Sequence, residues 1–209
     1  MTQLLVATRN KKKLSEIKEI LKGINLELLS LDNYKDAPQV LENGNTFQKN
    51  AIKKAVKLAR FTGKLTLGED SGLCVDALNG APGVYSARFS GSTCRVGRDK
   101  SDRRNNLKLL KLLRDLPLVK RKAHYVCAVA LADKGGLVGV VEGECPGLIA
   151  LEAKGKAGFG YDPLFYIPRH KKTFAQLGEK IKHKMSHRYH ALKKARRIIE
   201  KYIEKQVVS

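Results

Sequence analysis

The chain has 209 residues, of which 41 are lysine or arginine and 20 are acidic, and its formal net charge is +21. This excess of cations favours polyanionic partners such as nucleotides, nucleic acid or an anionic membrane surface, with a solvated lysine-rich surface as the alternative. No apolar run approaches the roughly 18 residues that span a bilayer, so no transmembrane helix is expected. The four cysteines form no CxxC pair, so neither a zinc nor a redox motif is expected.

Hydrophobic residues make up 43% of the chain, which is ordinary for a globular protein with a core. The length of residues 1–209 suits one large domain or two small lobes. The first residues lack a basic region followed by a long apolar one, so they predict a strand and not a signal peptide. We therefore expect a cytoplasmic protein with reduced thiols.

The N-terminal segment predicts a strand, a polar loop and a helix. Residues 4–7 are apolar, residues 8–13 are polar and cationic, and a helix with one apolar face follows until Gly23 ends it. Lysines next to a helix N-terminus suit a triphosphate, although the glycine spacing of a Walker A loop is missing. An exposed basic turn with a helix cap is the alternative.

The next elements are a strand at residues 26–31, a polar loop, and a helix that Thr46 caps and that runs to about Thr62. Glu42 comes shortly before that cap. Asn50 and Lys54 are four residues apart and share a helix face, which points either at a site or at solvent.

Two adjacent carboxylates then follow a short apolar run. Residues 65–67 predict a buried strand, Gly68 allows a sharp turn, and Glu69, Asp70 and Ser71 come directly after it. Because ligands bind at the carboxyl ends of strands in α/β proteins, these carboxylates are candidates to hold Mg²⁺, to activate a water, or both. The alternative is an acidic turn in solvent.

The second half of the chain predicts helices at both ends and strands between them. The predicted elements, in order, are a helix at residues 102–116, strands at residues 123–132, 137–141 and 148–151, and a helix from about residue 191 to 203. Residues 158–163 form a glycine-rich loop in which Phe159 and Tyr161 either grip a flat ring or pack into the core. Together the elements predict an α/β fold with a mixed sheet.

Five motifs in this order resemble one family, the non-canonical purine nucleoside triphosphate pyrophosphatases, also called inosine/xanthosine triphosphate pyrophosphatases or Ham1-like proteins. They are ATRNKKK at residues 7–13, ENGNTFQKNA at residues 42–51, EDSGL at residues 69–73, GFGYDP at residues 158–163 and SHR at residues 186–188. The segment APGVYSAR at residues 81–88 is also similar. The resemblance covers residues 4 to 192.

The resemblance implies an elongated mixed β-sheet with flanking helices, and two lobes with a nucleotide cleft between them. It also implies hydrolysis of ITP, dITP and XTP to the monophosphate and pyrophosphate with Mg²⁺, which would cleanse the nucleotide pool. Family members are usually homodimers, so a homodimer that needs neither a membrane nor nucleic acid is expected.

The resemblance assigns roles residue by residue. Glu42 and Asp70 match metal-binding carboxylates, Asp70 also matches the base that activates water, and Ser71 matches a substrate contact. The other matched substrate contacts are Thr8, Arg9, Asn10, Lys11, Lys12 and Lys13 on the triphosphate, Phe159, Gly160, Tyr161 and Asp162 on the base, and Lys182, His187 and Arg188 elsewhere on the nucleotide. Further candidates in matching segments are Lys54, Glu69 and Arg88.

By this resemblance, His187 and Arg188 lie beside the 6-oxo group of the purine. Donors there would bond an oxygen but would face the amino group of adenine, and an unpaired buried donor costs about 1–3 kcal/mol. Three positions depart from the usual family pattern: Lys49 and Gln176 stand where acids are common, and Glu69 where aspartate is. Lys49 would weaken the affinity for the metal.

Two alternatives remain, one a related enzyme and one a protein of another class. One is the related Maf-like group, which cleaves other nucleoside triphosphates, and the motifs at residues 158–163 and 186–188 argue against it. The other is a basic nucleic-acid-binding protein with an inactive nucleotidase fold, and the presence of both Glu42 and Asp70 argues against that.

Overall fold

The structure is a computed structural model that describes residues 1–91 and 98–208, without the side chains of Lys12, Arg98, Glu179, Val207 and Val208. Within these residues the strands are β1 (Thr2–Val6), β2 (Leu26–Ser30), β3 (Leu65–Val75), β4 (Lys122–Asp133), β5 (Gly136–Ile149), β6 (Phe165–Ile167) and β7 (Lys172–Thr173). The α-helices are α1 (Lys11–Ile20), α2 (Phe47–Thr62), α3 (Arg98–Leu113), α4 (Phe174–Leu177), α5 (Glu179–Met185) and α6 (His187–Val208).

The strands form one mixed sheet in the order β2-β1-β3-β4-β5-β6-β7. β1 pairs in parallel with both β2 and β3, whereas β6 pairs antiparallel with β5 and β7. The predicted α/β class with a mixed sheet and flanking helices is therefore confirmed.

The chain divides into two compact units. The first comprises Met1–Ser71, Cys127–Gly143 and His187–Ser209, and the second comprises Gly72–Val126 and Glu144–Ser186. β3, β4 and β5 each contribute residues to both units.

The core of the first unit lies on both faces of β1. Side chains alternate along a strand, so Leu4 and Val6 pack in one cluster with α1 and α6, while Leu5 packs on the other face against Leu58 of α2. Thr46 caps α2 by accepting a hydrogen bond from the N–H of Lys49, as its sequence predicts.

The core of the second unit is built around aromatic rings. Tyr125, Phe165 and Phe174 pack together, with the ring centroids of Tyr125 and Phe165 4.5 Å apart and those of Phe165 and Phe174 4.9 Å apart. Leu109 and Leu113 of α3 are fully buried in the same cluster. α3 is therefore held firmly in this unit by its apolar face.

The prediction of a turn at Gly68 is wrong, because β3 continues through both carboxylates to Val75. A Cβ at residue 68 would lie 2.3 Å from the carbonyl oxygen of Ala51, so glycine is required by the close approach of α2. β1 ends opposite Leu67, so Glu69 and Asp70 still lie just beyond the carboxyl end of β1.

The prediction of separate strands at residues 137–141 and 148–151 is also wrong, since β5 is continuous. Glycine serves packing along β5: a Cβ at Gly143 would lie 2.2 Å from the backbone nitrogen of Ala191 on α6. The short elements β6, β7 and α4 were not predicted, and the basic cluster at residues 180–185 is helical within α5. None of the helices in the described part of the chain has the length and apolar composition needed to cross a bilayer.

Candidate functional site

Asp70 is a buried carboxylate on β3 that is held by two donors. The side-chain amide of Asn50, on α2, donates to its Oδ2 at 2.8 Å, and the N–H of Ser71 donates to its Oδ1 at 3.0 Å. Burial raises the pKa of Asp70 above its ordinary value, against the opposing effects of Lys54 and Asn50, and the nearby charge of Glu42 raises it further. Asp70 is thus more basic than an ordinary aspartate, which suits a group that takes a proton from water.

Lys54 joins the second candidate carboxylate to β3. Its Nζ lies 3.0 Å from Oε1 of Glu42 and donates to the backbone oxygen of Glu69 at 2.8 Å. Lys54 and Glu42 both act on the pKa of Asp70, so the three charges form one electrostatic group. The structure therefore places the predicted pair Glu42 and Asp70 in one group of charges, which also contains the ammonium group of Lys54.

The donor set fits Mg²⁺. Magnesium binds through one or two carboxylates and completes its coordination with waters and substrate phosphates. Glu42 and Asp70 supply two such groups. Burial is the main cause of the raised pKa of Asp70 and the charge of Glu42 adds to it, and a bound cation would offset both effects. Residues 1–91 and 98–208 hold no cluster of three or more His, Cys, Asp or Glu side chains suited to a metal. A closed all-protein metal cage is therefore not expected there.

Glu69 belongs to a buried charge network instead. Its carboxylate accepts from Nε of Arg188 at 3.1 Å and from Nη2 at 2.9 Å, and from Nζ of Lys13 at 3.1 Å. Burial alone would raise the pKa of Glu69, but the charges and hydrogen bonds of Arg188 and Lys13 outweigh it and hold that pKa well below its ordinary value. Glu69 is thus ionised and engaged, and it is not a candidate metal ligand.

All three guanidinium nitrogens of Arg188 donate hydrogen bonds to carboxylates. Its Nη1 donates to Glu16 of α1, and its other two nitrogens donate to Glu69. The proposed contact of Arg188 with the 6-oxo group of a purine stays a prediction. Sequence reasoning missed Glu16, although an acid three residues after Lys13 in a lysine-rich helix shares a face with that lysine.

The predicted triphosphate loop joins β1 to α1. The hydroxyl of Thr8 accepts a hydrogen bond from the N–H of Asn10 at 3.1 Å, which orders the turn. The first turn of α1 contains no acidic residue, and Arg9 and Lys11 are exposed. An exposed cationic loop at a helix N-terminus is a setting in which anions bind. The side chain of Lys12 lies outside the described residues.

The second unit contains the other group of predicted contacts, centred on Asp162. This buried carboxylate accepts from Nζ of Lys182 at 2.5 Å and from the N–H of Phe159 at 2.9 Å. The ammonium of Lys182 also lies 4.7 Å from the centre of the Phe159 ring. A Cβ at Gly158 would lie 2.1 Å from Oδ2 of Asp162, so this closed loop requires glycine there.

The two aromatic residues of this loop differ in burial. Tyr161 is 3% exposed and donates from its hydroxyl to the backbone oxygen of Ser86 at 2.9 Å, so it packs in the core. Phe159 is only partly buried and keeps the capacity to contact a ring.

Of the remaining residues singled out by the sequence, Arg88 and Lys49 are exposed and His187 is buried. The guanidinium of Arg88 lies 5.1 Å from the centre of the Tyr85 ring. His187 lies at the start of α6 in the first unit. Solvent screens the charge of the exposed Lys49, and Gln176 accepts from the N–H of Thr173 in a capping box.

Asn50 is a residue whose replacement tests the geometry around Asp70. Its Oδ1 accepts from the N–H of Gly44 at 2.7 Å while its Nδ2 donates to Asp70. Asn50→Ala leaves both groups without this partner, and we expect the free energy of unfolding to fall by about 2 kcal/mol. Urea unfolding measures this change. The exposed substitution Asn43→Ala is the control, and an equal loss in both variants would contradict the bridging role.

Comparison with known proteins gives matches along nearly the whole chain. A family model described as the Ham1 family matches residues 4–198. The chain is 48% identical over 206 residues to a dITP/XTP pyrophosphatase from Desulforamulus reducens, covering 98% of this chain and all of that protein. It is 48% identical over 192 residues to a dITP/XTP pyrophosphatase from Geobacter sulfurreducens, covering 92% and 94% of the two chains.

Solved structures give similar matches. A HAM1 protein from Coxiella burnetii superposes with a TM-score of 0.86 at 34% identity, covering 96% of this chain and all of that chain. A dITP/XTP pyrophosphatase from Mycobacterium abscessus superposes with a TM-score of 0.75 at 41% identity, covering 93% and 98%.

Proposed function

This chain belongs to the Ham1 family, and from that membership and the geometry around Asp70 we propose that it hydrolyses non-canonical purine nucleoside triphosphates. The substrates are ITP, dITP and XTP, and the products are the nucleoside monophosphate and pyrophosphate. The observation that carries the proposal is a buried aspartate with a raised pKa, placed beside a second carboxylate and a lysine.

In the proposed reaction Asp70 takes a proton from a water molecule. The oxygen of that water then bonds to the α-phosphorus, and the bond to the oxygen bridging the α- and β-phosphates breaks, so pyrophosphate leaves with the electron pair. Asn50 and the N–H of Ser71 hold the carboxylate of Asp70 in place through this transfer. When bound by Glu42 and Asp70, Mg²⁺ would offset phosphate charge.

Cations of the first unit are suited to the triphosphate. Lys13, with the exposed Arg9 and Lys11, presents positive charge next to the N-terminus of α1. The buried network of Glu69 and Arg188 fixes the ammonium group of Lys13, because Glu69 accepts hydrogen bonds from both. Holding this cation in place before the substrate arrives lowers the cost of ordering it at binding.

The loop at residues 158–162 is proposed to bind the purine. Phe159 is partly exposed and is available to stack on a ring, and Asp162 with Lys182 supplies a buried polar pair next to it. The dITP/XTP names of the relatives support this choice of base.

We also propose a Mg²⁺-dependent, cytoplasmic homodimer that acts on free nucleotides without nucleic acid. The two-carboxylate donor set supports the metal dependence, and the family resemblance supports the assembly and the compartment. Light scattering of the purified chain tests the dimer.

The function is tested by measuring pyrophosphate release from ITP, dITP, XTP, GTP and ATP, with Mg²⁺ and with excess EDTA. We expect inosine monophosphate and pyrophosphate from ITP, and loss of turnover in EDTA. We expect kcat/KM for ITP to be about 100-fold above that for ATP, because the two donors that the resemblance places beside the 6-position, on His187 and Arg188, would face the amino group of adenine. Appearance of the diphosphate and orthophosphate would show that a different phosphate bond is cleaved. A kcat/KM for ATP or GTP above that for ITP would show a different base specificity.

A further inference from the structure

Two backbone groups of Gly160, in the predicted base loop, are hydrogen-bonded by side chains of one helix, α3. The N–H of Gly160 donates to Oδ2 of Asp102 at 2.7 Å, and the carbonyl oxygen of Gly160 accepts from Nδ2 of Asn106 at 3.0 Å. Asp102 and Asn106 are four residues apart on α3, so they share one face of that helix. We call these two side chains the Gly160 clamp.

The loop needs such a clamp because of its composition. Gly158 has φ +84° and Gly160 has φ +62°, both in the left-handed region that glycine enters freely. Glycine also loses the most backbone freedom on ordering, so a loop with two of them is costly to fix when a ligand binds. The other end of the clamp is anchored, since Leu109 and Leu113 of the same helix are fully buried.

The clamp is separate from the other contacts of this loop. Asp162 binds Lys182 and the N–H of Phe159, its own N–H donates to the carbonyl oxygen of Phe159 at 3.3 Å, and Tyr161 bonds the backbone at Ser86. α3 adds two side-chain hydrogen bonds, one to the N–H and one to the carbonyl oxygen of Gly160, in the middle of the loop.

We propose that Asp102 and Asn106 are positioning residues that set the base preference of the enzyme by fixing the loop at residues 158–162. This inference rests on the proposed function. Neither residue touches the substrate in the proposal. They hold the loop in its binding conformation before the purine arrives, so the ordering is complete when the purine binds. Discrimination between a 6-oxo and a 6-amino purine requires the ring to be held to within about 0.5 Å of the groups that read its 6-position, and a mobile loop does not hold the ring that closely.

The test variants are compared with control variants on the same helix. Asp102→Ala removes the acceptor for Gly160, and Asp99→Ala removes the same charge from an exposed position in the first turn of the same helix. Asp102→Asn is the conservative variant, because its amide oxygen can still accept from the N–H of Gly160. Asn106→Asp keeps the size of the side chain but places a carboxylate against the carbonyl oxygen of Gly160.

Two readouts are taken on each purified chain. The first is backbone amide hydrogen exchange in a peptide covering residues 158–162, which needs no activity. The second is kcat and KM for ITP and ATP. In Asp102→Ala and Asn106→Asp we expect faster exchange, and an ITP KM raised about three- to tenfold, as one lost hydrogen bond would give. We expect kcat within about twofold and an ITP-to-ATP preference lowered about three- to tenfold. Asp99→Ala and Asp102→Asn should resemble the parent.

The outcomes separate this inference from the proposed function. Unchanged exchange in Asp102→Ala would overturn the clamp. Faster exchange with an unchanged ratio of kcat/KM for ITP to kcat/KM for ATP would overturn the role of the clamp in base preference. If kcat/KM for both substrates falls by the same factor, the clamp has a structural role only. If the parent releases no pyrophosphate from ITP, the proposed function and the base-preference role fail together, and the exchange data still decide whether the clamp orders the loop.

Discussion

Replacement of Asp70 by asparagine is expected to lower kcat for ITP by a factor of about 10²–10⁴ in a protein that stays folded. An amide keeps the shape of the side chain, so it can still accept one of the two hydrogen bonds that Asn50 and Ser71 donate to the carboxylate. It has neither the negative charge that would hold Mg²⁺ nor the basicity that takes a proton from water. Chemistry is therefore expected to fail while binding of the nucleotide persists.

Pyrophosphate release under saturating ITP and Mg²⁺ measures this loss, with circular dichroism and thermal unfolding as checks of the fold. Asp99→Asn, which removes the same charge from an exposed position on α3, is the control and should keep the parental rate. A folded Asp70→Asn variant with activity within tenfold of the parent would remove Asp70 from the chemistry.

Local signals in the sequence predicted the elements whose causes are local. α2 was predicted from its apolar residues and from the cap at Thr46, and the structure ends it at Thr62, before Gly63 at φ +69°. β3 was cut short at Gly68 because glycine is a common turn residue. Its actual role, clearance for the backbone of Ala51, depends on how α2 crosses the strand, and no short window of sequence carries that information.

The same limit applies to the site. Asp70 stood out because an acid directly after an apolar run is visible in a short window, whereas Glu42 gained its role only through the family resemblance. Glu16 did not stand out, because its partner Arg188 lies 172 residues away, and only the fold brings the two together. The residues missed by sequence reasoning are those that hold other site residues in place, and their partners are fixed by tertiary structure.

Replacement of Arg188 by methionine is expected to lower the free energy of unfolding at pH 7 by about 3 kcal/mol. Arg188 is 2% exposed and bonds Glu69 through two nitrogens. Its loss leaves a buried carboxylate whose remaining cationic partner, among the residues that the structure describes, is Lys13. Methionine fills most of the space of the arginine stem, which keeps the cavity small. The loss therefore reports mainly the cost of a buried charge without its partner.

The pH dependence of this loss has a definite sign. In the parent the pKa of Glu69 lies well below its ordinary value of 4.5, so its contribution to stability is present above that pH and falls away in acid. In the variant, burial favours the protonated form of Glu69 and raises its pKa, so acid relieves the cost. The difference in unfolding free energy between parent and variant should therefore shrink as the pH falls below about 4.5.

The control is a second arginine–glutamate pair with the same separation but more exposure. Arg196 and Glu200 lie 2.9 Å apart with side chains 33% and 42% exposed, against 2% and 4% for Arg188 and Glu69. Arg196 also donates to the backbone oxygens of Ile20 and Lys22, so the control change is made at its partner. Because solvent screens the exposed pair, Glu200→Gln should cost no more than about 1 kcal/mol at any pH. Urea unfolding of parent and both variants at pH 7 and pH 4 measures the comparison. Equal losses of unfolding free energy in the two variants would mean that burial does not strengthen the Arg188 network. If the loss in Arg188→Met does not change with pH, Glu69 is not its cause.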